Sequence, residues 1–357
     1  MELEHTCFAT ISLPAFRANV RQAKLTLAGD AQLMIAVKSD AYGHGGLALA
    51  KAAQEAGADA LAVLDITQGQ AVRAEVPDLP LLCWLHSPAS DFGAAALAEL
   101  DVGISGVWQL DLLVDQAPGR KTRVHLKIDT GLHRNGALPE LWPDLVREAH
   151  RRETEGHIRV VGIWSHLADT SLEEDKASLH RFEDAVAVAR AGGLNPEVVH
   201  IAASAAAAEL PETRLDMVRI GIIAYGVSPF EDRSAHELGF EPVMAVHAQV
   251  TSHLPDGSGA TLGMGFGDGL LPPREGEGWV SHAGERHSIT ALGADYVLVG
   301  PSSTGSLPEV GQWVILWGDP THGSPRAEDW ASWADTIGDE VVASLAAHVP
   351  RKFIDEN

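Results

Sequence analysis

The sequence predicts an α/β protein, a TIM-like (β/α)8 barrel followed by a mostly β C-terminal domain. Between residues 33 and 225, short apolar β-type runs alternate with longer Ala-rich segments of helical period, which is typical of βα units around a parallel sheet. Eight such runs can be counted, the number that closes a barrel. After residue 229 the pattern changes to β-type segments separated by Gly, Pro and Asp, which indicates a second domain.

We expect the barrel strands in eight apolar runs, most of them followed by turn residues. The runs are residues 34–38, 60–64, 81–85, 102–105, 124–128, 160–165, 198–202 and 217–222. In such a barrel the chemistry lies at the C-terminal ends of the strands. The polar candidates there are Lys38, Asp40, Tyr42, Lys127, Asp129, Arg134, His166, Ser204, Arg219 and Gly221.

The chain of 357 residues is longer than one ordinary domain. We predict a barrel over residues 1–229 and the β domain over residues 230–357. Within the second domain, the predicted strands and the one predicted short helix follow the apolar pattern. The strands are 243–254, 296–299, 313–317 and 350–354, and the helix is 337–346.

Composition excludes several classes of function. With 45% hydrophobic and 21% charged residues the chain can bury a sizeable core. A net charge of −23 would repel nucleic acid and anionic lipid, so neither is an expected partner. Cys7 and Cys83 are too few for a disulfide framework. Residues 1–10 lack the basic start and apolar run of a signal peptide, so we expect a cytoplasmic protein.

The end of the first predicted strand carries a lysine, in the segment AVKSDAYGHG at residues 36–45. Burial disfavours a charged ammonium there, so a neutral amine or an imine is the more natural state of Lys38. An isolated lysine would more simply extend its amine to the solvent at the barrel rim. Tyr42, four residues on, could donate to a bound anion, and the glycines that follow could bring the backbone close to one.

This segment closely resembles the cofactor-lysine motif of the fold-type III pyridoxal 5'-phosphate (PLP) enzymes, specifically the alanine racemase family. The resemblance implies that Lys38 forms the Schiff base with PLP and that Tyr42 contacts its phosphate. Residues 124–136, VHLKIDTGLHRNG, resemble the fifth-strand motif of that family. There Arg134 would hydrogen-bond the cofactor phenolate, and Lys127 matches a lysine that is carbamylated in the family to hold this arginine.

Three further motifs resemble the family in the same order. GIWSHLA at residues 162–168 places His166 beneath the cofactor ring, and HIAAS at residues 200–204 makes Ser204 a phosphate ligand, although Ala203 stands where the family usually has Asn. VRIGIIAYGVSP at residues 218–229 places Arg219 at the pyridine nitrogen, with the N–H groups of Gly221 and Ile222 on the phosphate. A guanidinium can only donate, so this nitrogen stays unprotonated.

The resemblance continues through the β domain to residue 353, but three expected residues are missing there. The family's second catalytic base is a tyrosine of the partner subunit, whereas residues 250–263, VTSHLPDGSGATLG, are shortened and hold none. Residues 336–340, TIGDE, lack a phosphate-binding tyrosine. The Met-Asp pair that binds the substrate carboxylate reads Ala294-Asp295. His253 and His282 are the only substitute acids we nominate.

These observations favour a homodimeric PLP-dependent racemase that converts L-alanine to D-alanine through Lys38, with Arg134 and Asp295 binding the small amino-acid substrate. No metal is expected. Two alternatives stay open because of the missing tyrosine: an enzyme that uses Lys38 on one face of the substrate only, and a PLP-binding protein without catalysis. Homodimerisation is implied by the family resemblance alone.

Overall fold

The computed structural model describes residues 5–355. The segment 1–10, in which the features of a signal peptide are not found, is therefore described only from residue 5 onward. The strands are β1 (Cys7–Ser12), β2 (Gln32–Ala36), β3 (Ala60–Val63), β4 (Leu81–Cys83), β5 (Asp101–Ile104), β6 (Thr122–Lys127), β7 (Ile158–Trp164), β8 (Val198–His200), β9 (Met217–Ile220), β10 (Met244–His253), β11 (Ala260–Leu262), β12 (Trp279–His282), β13 (Glu285–Leu292), β14 (Val297–Val299), β15 (Trp313–Trp317) and β16 (Arg351–Ile354).

The helices alternate with strands in the first part of the chain. They are α1 (Leu13–Ala23), α2 (Lys38–Tyr42), α3 (Gly46–Glu55), α4 (Ile66–Glu75), α5 (Phe92–Leu97), α6 (Val107–Gln116), α7 (Trp142–Thr154), α8 (Leu172–Ala191), α9 (Ser204–Glu209), α10 (Ala327–Trp333) and α11 (Gly338–Ala343). Within residues 5–355, none of the helices combines the length and the apolar character needed to cross a bilayer.

The described chain divides into two compact units. The barrel unit comprises residues 20–39 and 50–221, and the sheet unit comprises residues 5–19, 40–49 and 222–355. The predicted boundary between residues 229 and 230 stays a prediction.

The barrel unit contains the predicted eight-stranded parallel barrel, in the order β8-β7-β6-β5-β4-β3-β2-β9. Two backbone hydrogen bonds close it between β9 and β8, from Arg219 N–H to Ala202 O at 3.0 Å and from Asp216 N–H to Val199 O at 3.2 Å. Its strands are almost continuously buried because helices cover a parallel sheet. The predicted fold class is confirmed, with strand ends shifted by a few residues.

The first barrel strand differs from its prediction at its end. β2 stops at Ala36, so Lys38 lies beyond the strand and begins α2. The four residues after Lys38 have φ between 52° and 54° and form a left-handed turn. This conformation costs roughly 1–2 kcal/mol for each non-glycine residue. Within the sheet unit, Asp40 stabilises the turn, since its Oδ1 accepts from Gly46 N–H at 2.6 Å and its backbone O from Gly45 N–H at 2.9 Å.

The sheet unit contains a mostly antiparallel sheet in the order β11-β14-β13-β12-β15-β10-β1-β16. The predicted β-type segments of the second domain form β10, β14, β15 and β16, and the predicted helix forms α11. Sequence analysis did not anticipate β1, which pairs antiparallel with β10 and parallel with β16. It also missed α10, whose Trp330 packs edge-on against Trp317 at 5.4 Å between ring centroids.

Candidate active site

Four basic side chains of the barrel unit influence the pKa of His166, which follows β7. Burial is the main cause that holds the pKa of His166 well below its usual value, and the charges of Arg219, Arg134, Lys127 and Lys38 lower it further, in that order. Sequence analysis placed these five residues at strand ends of a barrel. In the structure Arg219 contacts His166 directly, at 3.1 Å from Nδ1, and the lowered pKa leaves the imidazole neutral.

Arg219, on β9, is the most deeply placed of these cations. It is only 4% exposed, and burial lowers its pKa. Its NH2 group donates to the backbone oxygens of Ser165 at 2.8 Å and Ile201 at 2.9 Å, and to His166 Nδ1 at 3.1 Å. Its NH1 group donates to His200 Nδ1 at 3.0 Å. These bonds replace the water that a buried guanidinium loses.

Lys127, the last residue of β6, is 5% exposed. Burial is the main cause that lowers its pKa to about 7, followed by the charges of Arg219 and Arg134 and opposed by Asp129. Its Nζ lies 4.4 Å from the centroid of the Trp164 ring. The amine of Lys127 is therefore largely uncharged above neutral pH, unlike an ordinary lysine.

Asp129 brings negative charge close to this group of cations. Its Oδ1 accepts from Gly131 N–H at 2.9 Å and from His133 N–H at 3.1 Å. Although burial opposes ionisation, these bonds and His133 keep its pKa below the usual value. Asp129 is thus ionised and shapes the loop that carries Arg134.

The predicted phosphate ligands are divided between the two units. In the barrel unit, Gly221 N–H donates to Ser204 Oγ at 3.1 Å, at the start of α9. Tyr42 and Ile222 belong to the sheet unit, and both are buried. Burial, and secondarily the charge of Asp339, raises the pKa of Tyr42, so its hydroxyl stays protonated and able to donate.

The substitute acids and Asp295 lie in the sheet unit. His253 Nε2 is 2.9 Å from Pro308 O, and His282 Nδ1 is 3.1 Å from Trp313 O, so each imidazole is tied to a backbone carbonyl. Asp295 is exposed between β13 and β14, next to Tyr296, which is 40% exposed. The predicted roles of these residues stay predictions.

Sequence analysis missed three buried polar residues of the barrel, Asp101, His125 and His200. His125 and His200 were inside the motifs quoted above, but no role was assigned to them. The available signal was a titratable residue inside an otherwise apolar strand run, because burying such a group requires a hydrogen-bond partner.

A closed parallel barrel with a lysine and further cations at its strand ends defines a class of enzyme, the barrel enzymes that hold an anionic cofactor. Comparison with known proteins narrows the class. Residues 11–229 match the family model "Alanine racemase, N-terminal domain" and residues 250–353 match "Alanine racemase, C-terminal domain". The chain therefore belongs to the alanine racemase family, and the predicted enzyme class, an isomerase, is confirmed.

Individual relatives agree with this assignment. Alanine racemase of Streptomyces coelicolor is 38% identical over 98% of this chain and 96% of its own. The crystal structure of alanine racemase from D-cycloserine-producing Streptomyces lavendulae has a TM-score of 0.94 at 36% identity, covering 100% of this chain and 99% of its own. That of Corynebacterium glutamicum has a TM-score of 0.89 at 28% identity, covering 98% and 100%.

The family uses PLP, and the residues of the barrel unit fit it. The pKa of His166 is lowered by the charges of four residues, Lys38, Lys127, Arg134 and Arg219. The carboxylate of Asp129 raises the pKa of Lys127. Arg219 is a buried cation at neutral pH and Arg134 adds an exposed positive charge. This positive charge favours an anionic ligand. PLP carries a phosphate and a phenolate, and Lys38 is a half-buried primary amine at this site.

Proposed function

We propose that this protein is a PLP-dependent racemase of small amino acids, with alanine as its substrate and Lys38 as the residue that moves the Cα proton. The observation that carries the proposal is the hydrogen bond from the buried Arg219 to His166 Nδ1, at 3.1 Å. Lys38, Arg134 and Lys127 act on the same imidazole and lower its pKa further. The family matches over both parts of the chain support it. The named relatives are alanine racemases, which is why alanine is the substrate we propose.

Each residue of the barrel site has a chemical task in this proposal. PLP, when bound, would supply the electron-withdrawing group that makes the Cα proton of the amino acid acidic. Lys38 accepts the Cα proton and returns it, which requires its amine to be uncharged at that moment. Arg219 would face the pyridine nitrogen of the bound cofactor and can only donate, so this nitrogen would stay unprotonated. This arrangement restrains electron withdrawal and disfavours side reactions such as transamination.

The remaining residues hold the cofactor and substrate. Ser204 and the N–H groups of Gly221 and Ile222 bind the phosphate, together with the Tyr42 hydroxyl. Arg134 donates to the phenolate and, with Asp295, contacts the substrate carboxylate region. Lys127 carries a carbamate that orients Arg134; its pKa of about 7 leaves an uncharged amine to react with CO2, and the neighbouring arginines stabilise the anion formed.

The absent tyrosine supports one alternative activity, in which Lys38 removes and returns the proton on a single face. Racemisation needs a second acid on the opposite face, and residues 250–263 contain no tyrosine. The alignment with the Streptomyces coelicolor enzyme runs over 375 positions, more than the 357 residues of this chain, so this chain lacks residues that the relative has. His253 and His282 stay the nominated substitutes.

The test is deuterium incorporation from D2O into L-alanine by the PLP-loaded protein, with Lys38→Ala as the blank. Deuterium at Cα with inversion supports the racemase; deuterium with retention supports the one-face alternative. Absence of exchange would leave a PLP-binding protein. Borohydride reduction before digestion should attach the cofactor to Lys38, and a peptide without it would contradict every PLP-based proposal.

A homodimer in the cytoplasm completes the proposal. The family resemblance places the second acid in the partner subunit, so racemisation by inversion would depend on dimerisation. Both cysteines, Cys7 and Cys83, are buried and free, which suits a reducing compartment. Light scattering on the PLP-loaded protein should give twice the mass of the 37.9 kDa chain, and a monomer that still inverts alanine would contradict this requirement.

A further inference from the structure

A buried row of polar side chains runs through the barrel unit from β5 to β9. His125 Nε2 is 3.3 Å from Asp101 Oδ2, His125 Nδ1 is 3.0 Å from His200 Nε2, and His200 Nδ1 is 3.0 Å from Arg219 NH1. All four residues are at most 4% exposed. We call Asp101, His125 and His200 the relay.

We propose that Asp101 and His125 are positioning residues for Arg219 and that they act through His200. They fix every hydrogen bond of the relay in one direction, from the guanidinium to the Asp101 carboxylate. The contact of Arg219 with the cofactor rests on the proposed function. The direction of the hydrogen bonds in the relay does not depend on that function.

The direction follows from donor and acceptor capacity. Arginine has no acceptor, so His200 Nδ1 must accept from Arg219, and His200 carries its proton on Nε2. That proton is donated to His125 Nδ1, which leaves the proton of His125 on Nε2, directed at the carboxylate. Both imidazoles are therefore neutral Nε2–H tautomers. Burial, and then the charge of Arg219, lowers the pKa of His200, which agrees with a neutral ring.

Asp101 is held as the anionic end of the relay. Arg123 donates to it from Nε, 2.8 Å from Oδ1, and from NH2, 3.3 Å from Oδ2. Burial opposes ionisation, but the bonds from His125 and Arg123 outweigh it and lower the pKa of Asp101. A carboxylate at this end makes His125 a stronger acceptor toward His200, and His200 in turn a stronger acceptor toward Arg219, as a carboxylate does behind metal-binding histidines.

The barrel leaves space for the relay at one glycine. His125 lies on β6 and His200 on β8, so their contact passes over β7, where Gly162 pairs with His125. A Cβ on Gly162 would lie 2.0 Å from His125 Nδ1 and 2.6 Å from its Cγ. The absence of a side chain at this position therefore lets His125 reach across a strand.

The substitution Asp101→Asn tests the direction. Arg123 Nε makes the shorter bond, 2.8 Å to Oδ1, so the new amide keeps its oxygen there and places its nitrogen at the Oδ2 position, facing His125 Nε2. The imidazole protons then move to Nδ1, and His200 Nδ1–H opposes the Arg219 N–H. In Asp101→Asn/Arg123→Gln, the amide nitrogen can turn to the glutamine oxygen or to water, so the original direction returns. Arg123→Gln alone is the matched control.

The readout is ring 15N NMR on histidine-labelled protein, which separates protonated from unprotonated imidazole nitrogens. Signals are assigned by their loss in His125→Gln and His200→Gln proteins. We expect Nε2–H tautomers for both rings in the unsubstituted protein and in Arg123→Gln, Nδ1–H tautomers in Asp101→Asn, and Nε2–H again in the double variant. Proton exchange at alanine Cα should fall by roughly tenfold or more in Asp101→Asn and recover in the double variant.

An imidazolium or an Nδ1–H tautomer at either ring of the unsubstituted protein would overturn the proposal, even if Asp101→Asn does not fold. Unchanged tautomers in a folded Asp101→Asn protein would overturn it as well. Because these spectra need no turnover, a protein without racemase activity would contradict the proposed function and leave the test of the relay intact.

Discussion

The amine nitrogen of Lys127 lies 4.4 Å from the centroid of the Trp164 indole, and the guanidinium carbon of Arg219 lies 5.1 Å from the same ring. One aromatic ring thus contacts two basic groups. The ring contacts favour positive charge, but burial and the neighbouring arginines outweigh them at Lys127 and lower its pKa to about 7.

We predict that Lys127 makes the protein more stable as the pH rises from about 7 to 10.5. Its pKa is about 7 in the folded protein and 10.5 in the unfolded chain. Across this window the unfolded chain binds a proton that the folded protein does not, so the free energy of unfolding rises with pH. Urea unfolding in CO2-free buffer should show a steeper rise than in Lys127→Met, and parallel pH profiles would contradict this.

We also predict that Lys127 reacts with CO2 above neutral pH. Only the uncharged amine can attack CO2. It forms the N–C bond and releases one proton to water, leaving the carbamate anion, so the product should increase as the pH passes about 7. With 13C-bicarbonate at pH 8.5, NMR should show a carbamate signal that is weaker at pH 6. Its persistence in Lys127→Met would assign it to another amine, and its absence from the unsubstituted protein would refute the modification.

Gly162→Ala should destabilise the barrel by about 1–3 kcal/mol, the usual cost of adding a methyl group to a well-packed core. The added Cβ would lie 2.0 Å from His125 Nδ1. Gly300→Ala is the control, because a Cβ there would lie 3.7 Å from its nearest neighbour, Cγ2 of Thr290. Equal urea midpoints for the two variants would show that His125 moves aside without cost.

Ser39→Val should destabilise the protein by roughly 1–2 kcal/mol, whereas Ser39→Gly should be neutral or stabilising. Ser39 is exposed and has a φ of 53°, a left-handed conformation that β-branched side chains rarely adopt and glycine adopts readily. Chemical unfolding measures both, with Ser332→Val on the exposed side of α10 as the control. A larger loss for the glycine variant would mean that the turn is not strained.

Asp339→Asn should increase the affinity for PLP by roughly twofold to fivefold, corresponding to about 0.5–1 kcal/mol for a partly exposed charge. Asp339 acts on Tyr42, our proposed phosphate ligand, so its charge repels the phosphate. The control is Glu340→Gln, which removes an adjacent carboxylate that accepts a hydrogen bond from the Thr336 hydroxyl. This variant should change the affinity for PLP little. Absorbance titration of the cofactor-free protein measures both, and equal shifts would locate the repulsion elsewhere.

The barrel strands could be predicted because parallel strands covered on both faces need continuous apolar runs, and residues such as Val124 and Ile163 lie in such runs. Strand ends were less certain, since β2 ends at Ala36 and α2 is wound left-handed. No local rule predicts four successive non-glycine residues with positive φ, because the strain must be outweighed by contacts such as those of Asp40.

The sequence by itself determined the fold class, the family and the positions of Lys38, Arg134, His166 and Arg219, since each depends on local order along the chain. The tertiary structure alone decided which charges meet at His166 and that Asp101, His125 and His200 form a connected row. His125 and His200 are 75 positions apart in the sequence. The hydrogen bond between them crosses the intervening strand β7, so it depends on the closed barrel and on the absence of a side chain at Gly162.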